Sequence, residues 1–226
     1  MATIRDTLKN IQSKLYLSIG YSSDEAKLEA RFILEHVLKI TQKEIIQKSD
    51  KDIHIDNQTQ IEYITKKRMG GTPLPYLLGE WAFYGRTFKV NPNVLIPRAD
   101  TEVLIETALS KINIHDNYDI LDLGCGTGII GITIALERPL SKVTLIDQSE
   151  YAIQNTKDNQ ALHQVTNTTM LKSDWLSALN QTRFDVILSN PPYLEENNPY
   201  LFQGLEDEPL DALVSGPVGT EAIQYI

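Results

Sequence analysis

The residues best suited to chemistry stand at Asn190-Pro191-Pro192-Tyr193, directly after an apolar run, Val186-Ile187-Leu188-Ser189. The run reads as a strand. Two consecutive prolines end it, because neither can donate to a ladder, and Pro191 pushes Asn190 toward extended backbone. The product is a stiff corner carrying an amide side chain. Asn190 offers one acceptor oxygen and two donor hydrogens, and the Pro191 and Pro192 carbonyls can accept as well. Such a corner can grip a planar NH2 group with two acceptors while Tyr193 forms a wall. Taken alone, the same four residues also read as an ordinary proline turn after a strand.

A second constellation lies upstream, at Asp122-Leu123-Gly124-Cys125-Gly126-Thr127-Gly128. Its glycines alternate, unlike the G-x-G-x-x-G dinucleotide fingerprint. Glycines here let a ligand lie against bare backbone, and a helix starting at Ile129 would present unpaired N–H groups. Asp147 stands 23 residues after Gly124 at the end of another apolar run, where a carboxylate can accept both hydroxyls of a ribose. Asp174 can accept from an adenine amino group, and Trp175 offers a flat apolar face. Asp122 is the carboxylate expected beside a cationic centre or a ligand ammonium. A ligand with adenine, ribose and a charged tail but no diphosphate fits this set, and S-adenosylmethionine is the economical choice over a dinucleotide. Cys125 is expected to be a small residue facing ligand or core, since no base is at hand to make it a nucleophile.

These residues need a scaffold that brings them together. From Tyr118 onward short apolar strands alternate with helical patterns: Ile120–Leu123, a helix from Ile129 to Glu137, Lys142–Ile146, a helix near Tyr151–Ala161, Met170–Lys172 and Phe184–Ser189. That alternation predicts a parallel sheet with helices on both faces, whose ligands bind beyond the carboxyl ends of the strands. The glycine turn, Asp147, Asp174-Trp175 and Asn190 all follow strands, so all four should converge on one crevice. Before this, residues 1–71 read as a small helical bundle. Ile4, Leu8, Ile11, Leu15 and Ile19 recur at helical steps, and Ser22/Glu25 and Thr41/Glu44 have capping-box spacing. The bundle carries no catalytic constellation; it reads either as a structural cap or as a docking surface. Residues 72–97 read as a linker with a β-hairpin built from Trp81–Tyr84 and Thr87–Val90, and residues 98–226 as the α/β domain, its first helix capped by Asp100 or Thr101.

Composition narrows the function classes. The chain has 226 residues, 42% hydrophobic and 23% charged, with one cysteine and four scattered histidines. A disulfide framework, a multi-cysteine zinc site and a metal site are not expected, nor is a membrane span. A monomer in a reducing cytoplasm is the natural setting. Residues 1–80 carry 12 Lys/Arg and 11 Asp/Glu, whereas residues 81–226 carry 9 and 19. An acidic second half argues against DNA as the main partner, since nucleic-acid affinity rests on neutralising phosphates.

The sequence resembles the bacterial peptide chain release factor N5-glutamine methyltransferases, the PrmC/HemK family. The motifs that carry the resemblance are Pro75–Glu80, the run Leu95-Ile96-Pro97-Arg98-Ala99-Asp100-Thr101-Glu102, Asp122–Gly128, Ser173–Trp175 and Ser189–Tyr193. The resemblance implies a class I, Rossmann-like S-adenosylmethionine-dependent methyltransferase domain. It implies that Gly124, Cys125, Gly126, Thr127, Gly128, Asp147, Trp175 and Asn190 line the cofactor site. It further implies that Asn190, Pro191, Pro192 and Tyr193 hold the glutamine of the Gly-Gly-Gln loop of class 1 release factors. The family sheet has seven strands against four counted here, so the α/β domain is expected to lack its last strands within these residues. Asn-Pro-Pro-Tyr also suits enzymes that methylate nucleic-acid amino groups, adenine N6 or guanine N2. A non-catalytic S-adenosylmethionine-binding protein is the third reading.

Overall fold

A computed structural model describes residues 2–202 and 204–226. The chain divides into two compact units, Met1–Leu78 and Gly79–Ile226.

The first unit is helical. α1 (Ile4–Ile19) is capped by the Thr3 side chain and ends at Gly20 in the left-handed region. α2 (Ser23–Leu38) and α3 (Gln42–Gln47) open with the Ser22/Glu25 and Thr41/Glu44 capping boxes, and α4 (Ile55–Met69) follows. Ile11, Leu15, Ala26, Ala30, Ile33, Leu34, Ile61 and Ile64 form its core. At the C-terminal end of α4, Arg68 forks onto Glu29 of α2 (2.8 and 3.2 Å), and Tyr21 donates to the same carboxylate. A short helix absent from the sequence reading, α5 (Leu74–Leu78), completes the unit. Pro75 is tolerated in a first turn because its missing N–H would have had no helical partner, and Leu74 is buried in the bundle core.

The stretch 72–97 is therefore not a separate linker. Its helix belongs to the first unit and its hairpin to the second. β1 (Glu80–Phe83) and β2 (Arg86–Lys89) pair antiparallel through the two-residue turn Tyr84-Gly85. Both turn residues have positive φ, 49° and 70°, as the tight turn that matches strand twist requires. Phe83 and Phe88 point into the core of the α/β unit beside Ile105 and Ile132. Burial of two phenylalanines outweighs the glycine-rich signal upstream that suggested a spacer.

α6 (Asp100–Lys111) begins without the expected side-chain cap at Asp100 or Thr101. The chain is already turning at Arg98 and Ala99, whose carbonyls accept the N–H groups of Thr101 and Glu102. Asp100 and Thr101 thus lie inside the helix. Then come β3 (Asp119–Leu123), α7 (Ile129–Glu137), β4 (Lys142–Asp147), α8 (Glu150–His163), β5 (Thr168–Lys172) and β6 (Val186–Ser189). The four strands are parallel in the order β5-β4-β3-β6. Ile120, Leu121 and Leu123 of β3 are fully buried, as a strand covered on both faces must be. The order reverses between β3 and β6, where Leu123 pairs with Ser189. A crevice opens beyond the strand ends at that switch point. Residues 190–226 carry two 3-10 turns, a bridge between Leu194 and Val214, and a short α9 (Glu221–Tyr225). No helix among the described residues is long and apolar enough to cross a membrane.

Candidate functional site

A cavity of about 270 Å³ occupies the crevice at the carboxyl ends of the strands. The turn from β3 into α7 forms one wall. Gly124, Gly126 and Gly128 all have positive φ (76°, 55° and 79°), a region that costs other residues about 1–2 kcal/mol. The three glycines differ in what surrounds them. A Cβ on Gly124 or Gly126 would meet nothing within 4 Å, so that bare backbone faces open space. A Cβ on Gly128 would stand 2.8 Å from the Thr156 methyl carbon of α8. Gly128 is required for packing and lies outside the cavity wall, whereas Gly124, Cys125, Gly126 and Thr127 line it.

Buried polar side chains of α8 hold this turn. Thr156 Oγ1 donates to the Gly126 carbonyl at 3.0 Å. The Asn159 amide donates to the carbonyls of Thr127 (2.9 Å) and Lys89 (3.0 Å) and accepts the Lys89 N–H (2.7 Å). Asn159 thereby ties the hairpin to the glycine turn. The sequence reading missed both residues, because polar positions on a helix read as its solvated face.

Asp147, at the end of β4, lines the cavity and is half-buried. Its Oδ2 accepts the Gly126 N–H and its Oδ1 the Ser149 N–H, both at 2.9 Å, and each oxygen keeps a further lone pair. Burial raises its carboxyl above the ordinary aspartate value, and the N–H groups of Ser149, Gly126 and Gln148 oppose that rise. Asp122 departs from expectation. It is fully buried behind the turn rather than facing a ligand. Its Oδ2 accepts the Gly131 N–H of α7 at 2.8 Å, while Oδ1 has no partner. Burial, with the charge of Asp147 adding to it, pushes Asp122 up to about 7. The alternation of β3 explains the placement, since every second side chain points into the helix layer.

Cys125 is buried, 3.5 Å from Thr156 Oγ1. Burial and then the charges of Asp122 and Asp147 raise its thiol well above the ordinary range. Such an environment disfavours the thiolate. Trp175 lines the cavity in a left-handed backbone conformation (φ 45°), fixed by Ser173 Oγ donating to the Trp175 carbonyl at 2.6 Å. Asp174 is exposed and outside the cavity wall. The same left-handed turn that carries Trp175 separates the two neighbouring side chains.

The opposite wall carries the proline corner. Asn190, Pro191 and Pro192 line the cavity. Asn190 Nδ2 donates to Thr101 Oγ1 at 3.4 Å. Tyr193 lies outside the lining, the residue 62% exposed and its N–H donated to the Leu213 carbonyl. It stands beside the corner rather than within the cavity. Val94–Arg98 and Pro209, Asp211 and Ala212 contribute further wall that the sequence reading did not identify as part of a site. They are clasped together by Glu208, which accepts from the Arg98 guanidinium and from the Ile96 N–H at 3.2 Å. Arg98 and Thr101 had a signal, their place in the Leu95–Glu102 run. Glu208, 110 residues from Arg98, had none.

A glycine-backed cavity at the switch point of a parallel sheet, with a carboxylate at the end of the second strand and an amide after the fourth, is the site of an α/β ligand-binding domain. Residues 99–215 match the Methyltransferase small domain, and residues 16–79 match the PrmC N-terminal domain. Three curated relatives are each named release factor glutamine methyltransferase. The protein from Vibrio cholerae is 37% identical over 226 residues, covering 99% of this chain and 78% of the relative. That from Coxiella burnetii is 32% identical, covering 100% and 80%. That from Escherichia coli K12 is 35% identical over 206 residues, covering 91% and 74%. The chain belongs to the release factor glutamine methyltransferase family.

Proposed function

We propose that the protein transfers a methyl group from S-adenosylmethionine to the side-chain amide nitrogen, N5, of the glutamine in the Gly-Gly-Gln loop of a class 1 peptide chain release factor. The observation that carries this reading is the joint occupation of one cavity by a bare glycine turn and the Asn190-Pro191-Pro192 corner. The donor set suits the cofactor. Gly124 and Gly126 line the cavity with backbone that carries no side chain. Asp147 retains lone pairs for ribose hydroxyls, and Trp175 supplies a flat surface for a base.

When bound, S-adenosylmethionine supplies a methyl group on a positively charged sulfur, already electrophilic. The protein has to deal with the nucleophile, because an amide nitrogen shares its lone pair with the carbonyl. Asn190 Oδ1 and the Pro191 carbonyl accept the two hydrogens of the substrate NH2. They orient its lone pair toward the methyl carbon and stabilise positive charge as it forms. Tyr193, exposed beside the corner, is free to pack on the amide plane of a substrate loop. The N-methylated amide cation is acidic enough to release its proton to water, so no strong general base is required.

The helical unit serves to dock the release factor, and the protein acts as a monomer in a reducing cytoplasm. A cavity that accepts a loop needs a second surface to hold the rest of a folded partner. The excess of acidic residues in 81–226 favours a protein substrate over a phosphate backbone. The test offers the protein labelled cofactor with, in parallel, an intact release factor, a short Gly-Gly-Gln peptide and DNA oligonucleotides, and locates the label by mass spectrometry. Label on the loop glutamine of the intact factor, much slower labelling of the peptide and none of DNA is the expected pattern. Label on DNA alone overturns the assignment, and equal rates on peptide and intact factor remove the docking role from the helical unit.

A further inference from the structure

The Leu95–Glu102 run marks the family resemblance, yet none of its side chains has a part in the transfer as derived above. Its contacts give it one. Thr101, in the first turn of α6, is 6% exposed and lines the cavity. Its Oγ1 accepts from Asn190 Nδ2 across 89 residues of sequence.

The orientation of Asn190 matters because its amide has two unlike ends. With Nδ2 toward Thr101, Oδ1 is left as the acceptor for an incoming NH2. Turned over, the amide would present its own NH2 to the substrate NH2, donor against donor. When Oδ1 is engaged by substrate, Nδ2 needs an acceptor of its own, since an amide donor left unpaired in a desolvated site is destabilising. Thr101 Oγ1 is that acceptor.

The run also holds Thr101 still. On one side of it, Ile96 N–H and the Arg98 guanidinium both reach Glu208, whose side chain is 2% exposed. On the other, Glu102 Oε1 accepts the Tyr84 N–H of the hairpin turn at 2.9 Å. The Thr101 N–H itself is bonded to the Arg98 carbonyl. A hydroxyl pinned by tethers on both flanks can fix an amide, whereas one on a free loop would follow it.

We propose that Thr101 is a positioning residue for methyl transfer, setting the Asn190 amide so that its oxygen faces the substrate nitrogen. The inference rests on the functional reading above. Thr101→Val keeps the side-chain shape and removes the acceptor; Thr101→Ser restores an acceptor in smaller form. In Thr101→Val the expected result is a kcat on release factor lower by about tenfold to a hundredfold, with KM changed far less. Cofactor affinity by calorimetry and the melting temperature should stay near those of the parent, and Thr101→Ser should recover most of kcat. A second measurement does not depend on turnover. The Asn190 side-chain NH2 signals, assigned by NMR with Asn190→Asp as the reference, should move in Thr101→Val and return in Thr101→Ser. Parent-like kcat in Thr101→Val, or Asn190 NH2 signals that do not move, overturns the proposal. Loss of kcat matched by equal loss of cofactor affinity and melting temperature also overturns it, since that pattern belongs to a structural role. If the parent fails to methylate release factor, the functional reading fails, and the NH2 signals alone decide the Thr101–Asn190 contact.

Discussion

The two walls of the cavity are built differently. The glycine turn leaves β3, an interior strand, and is held from several sides: buried Thr156 and Asn159 of α8 bond its carbonyls, and the half-buried Asp147 carboxylate bonds its amide. The proline corner leaves β6, which pairs with β3 on one side only among the described residues. Ile187 at mid-strand is 51% exposed. The supports of the corner come from far along the chain, Thr101 from α6 and the Leu213 carbonyl under Tyr193. On the proposed function, the first wall receives the same cofactor at every turnover and gains from complete preorganisation. The second, proposed to admit a loop of another protein, has to stay accessible, and its rigidity then has to come from proline geometry and a few long-range bonds.

The sharpest way to break this comparison is to remove the acceptor and leave the cofactor wall intact. Asn190→Ala should lower methyl transfer at least about 100-fold while retaining the fold and most cofactor affinity. Single-turnover rates alongside calorimetry would separate the two effects. Near-normal turnover would reduce the corner to a structural turn.

The cofactor wall can be probed by two alanines that share a backbone strain but differ in surroundings. Gly128→Ala adds a Cβ 2.8 Å from Thr156, on top of the cost of φ 79°. It should destabilise the protein by about 2–3 kcal/mol. Gly124→Ala meets nothing within 4 Å. It should lose only about 1–2 kcal/mol of stability and show its main effect as weakened cofactor binding. Denaturant titrations that rank the two the other way would mean that α8 does not brace the turn.

A pH-dependent effect concerns Asp122, buried behind the glycine turn. Its carboxyl is raised to about 7 from 3.8. A raised acid binds its proton more tightly in the folded state, so its contribution is fully present below about pH 4 and is lost as pH rises through about 7. Asp122→Asn removes that titration and keeps an oxygen for the Gly131 N–H. Its melting temperature should therefore gain on the parent between pH 5 and pH 8. A difference independent of pH would show that Asp122 is already ionised throughout.

Much of this molecule is local and therefore legible in the chain. Helix starts follow from capping residues three apart, as at Ser22/Glu25 and Thr41/Glu44, because a cap needs only its own first turn. Strand-helix alternation from residue 118 onward implies a parallel sheet, and a parallel sheet implies ligands at its carboxyl edge, so the convergence of Gly124, Asp147, Trp175 and Asn190 follows from order alone. What the tertiary structure decided is which side chains face the cavity and which hold it. Asp122 turns away because strand register sends it into the helix layer. Gly128 answers to Thr156 rather than to a ligand. Residues 79–97 belong to the core because Phe83 and Phe88 are buried there. Thr101, Asn159 and Glu208 matter through partners 70 to 110 residues distant. A hydrogen bond of that span leaves no periodicity or spacing in the sequence, because its geometry exists only once the chain has folded.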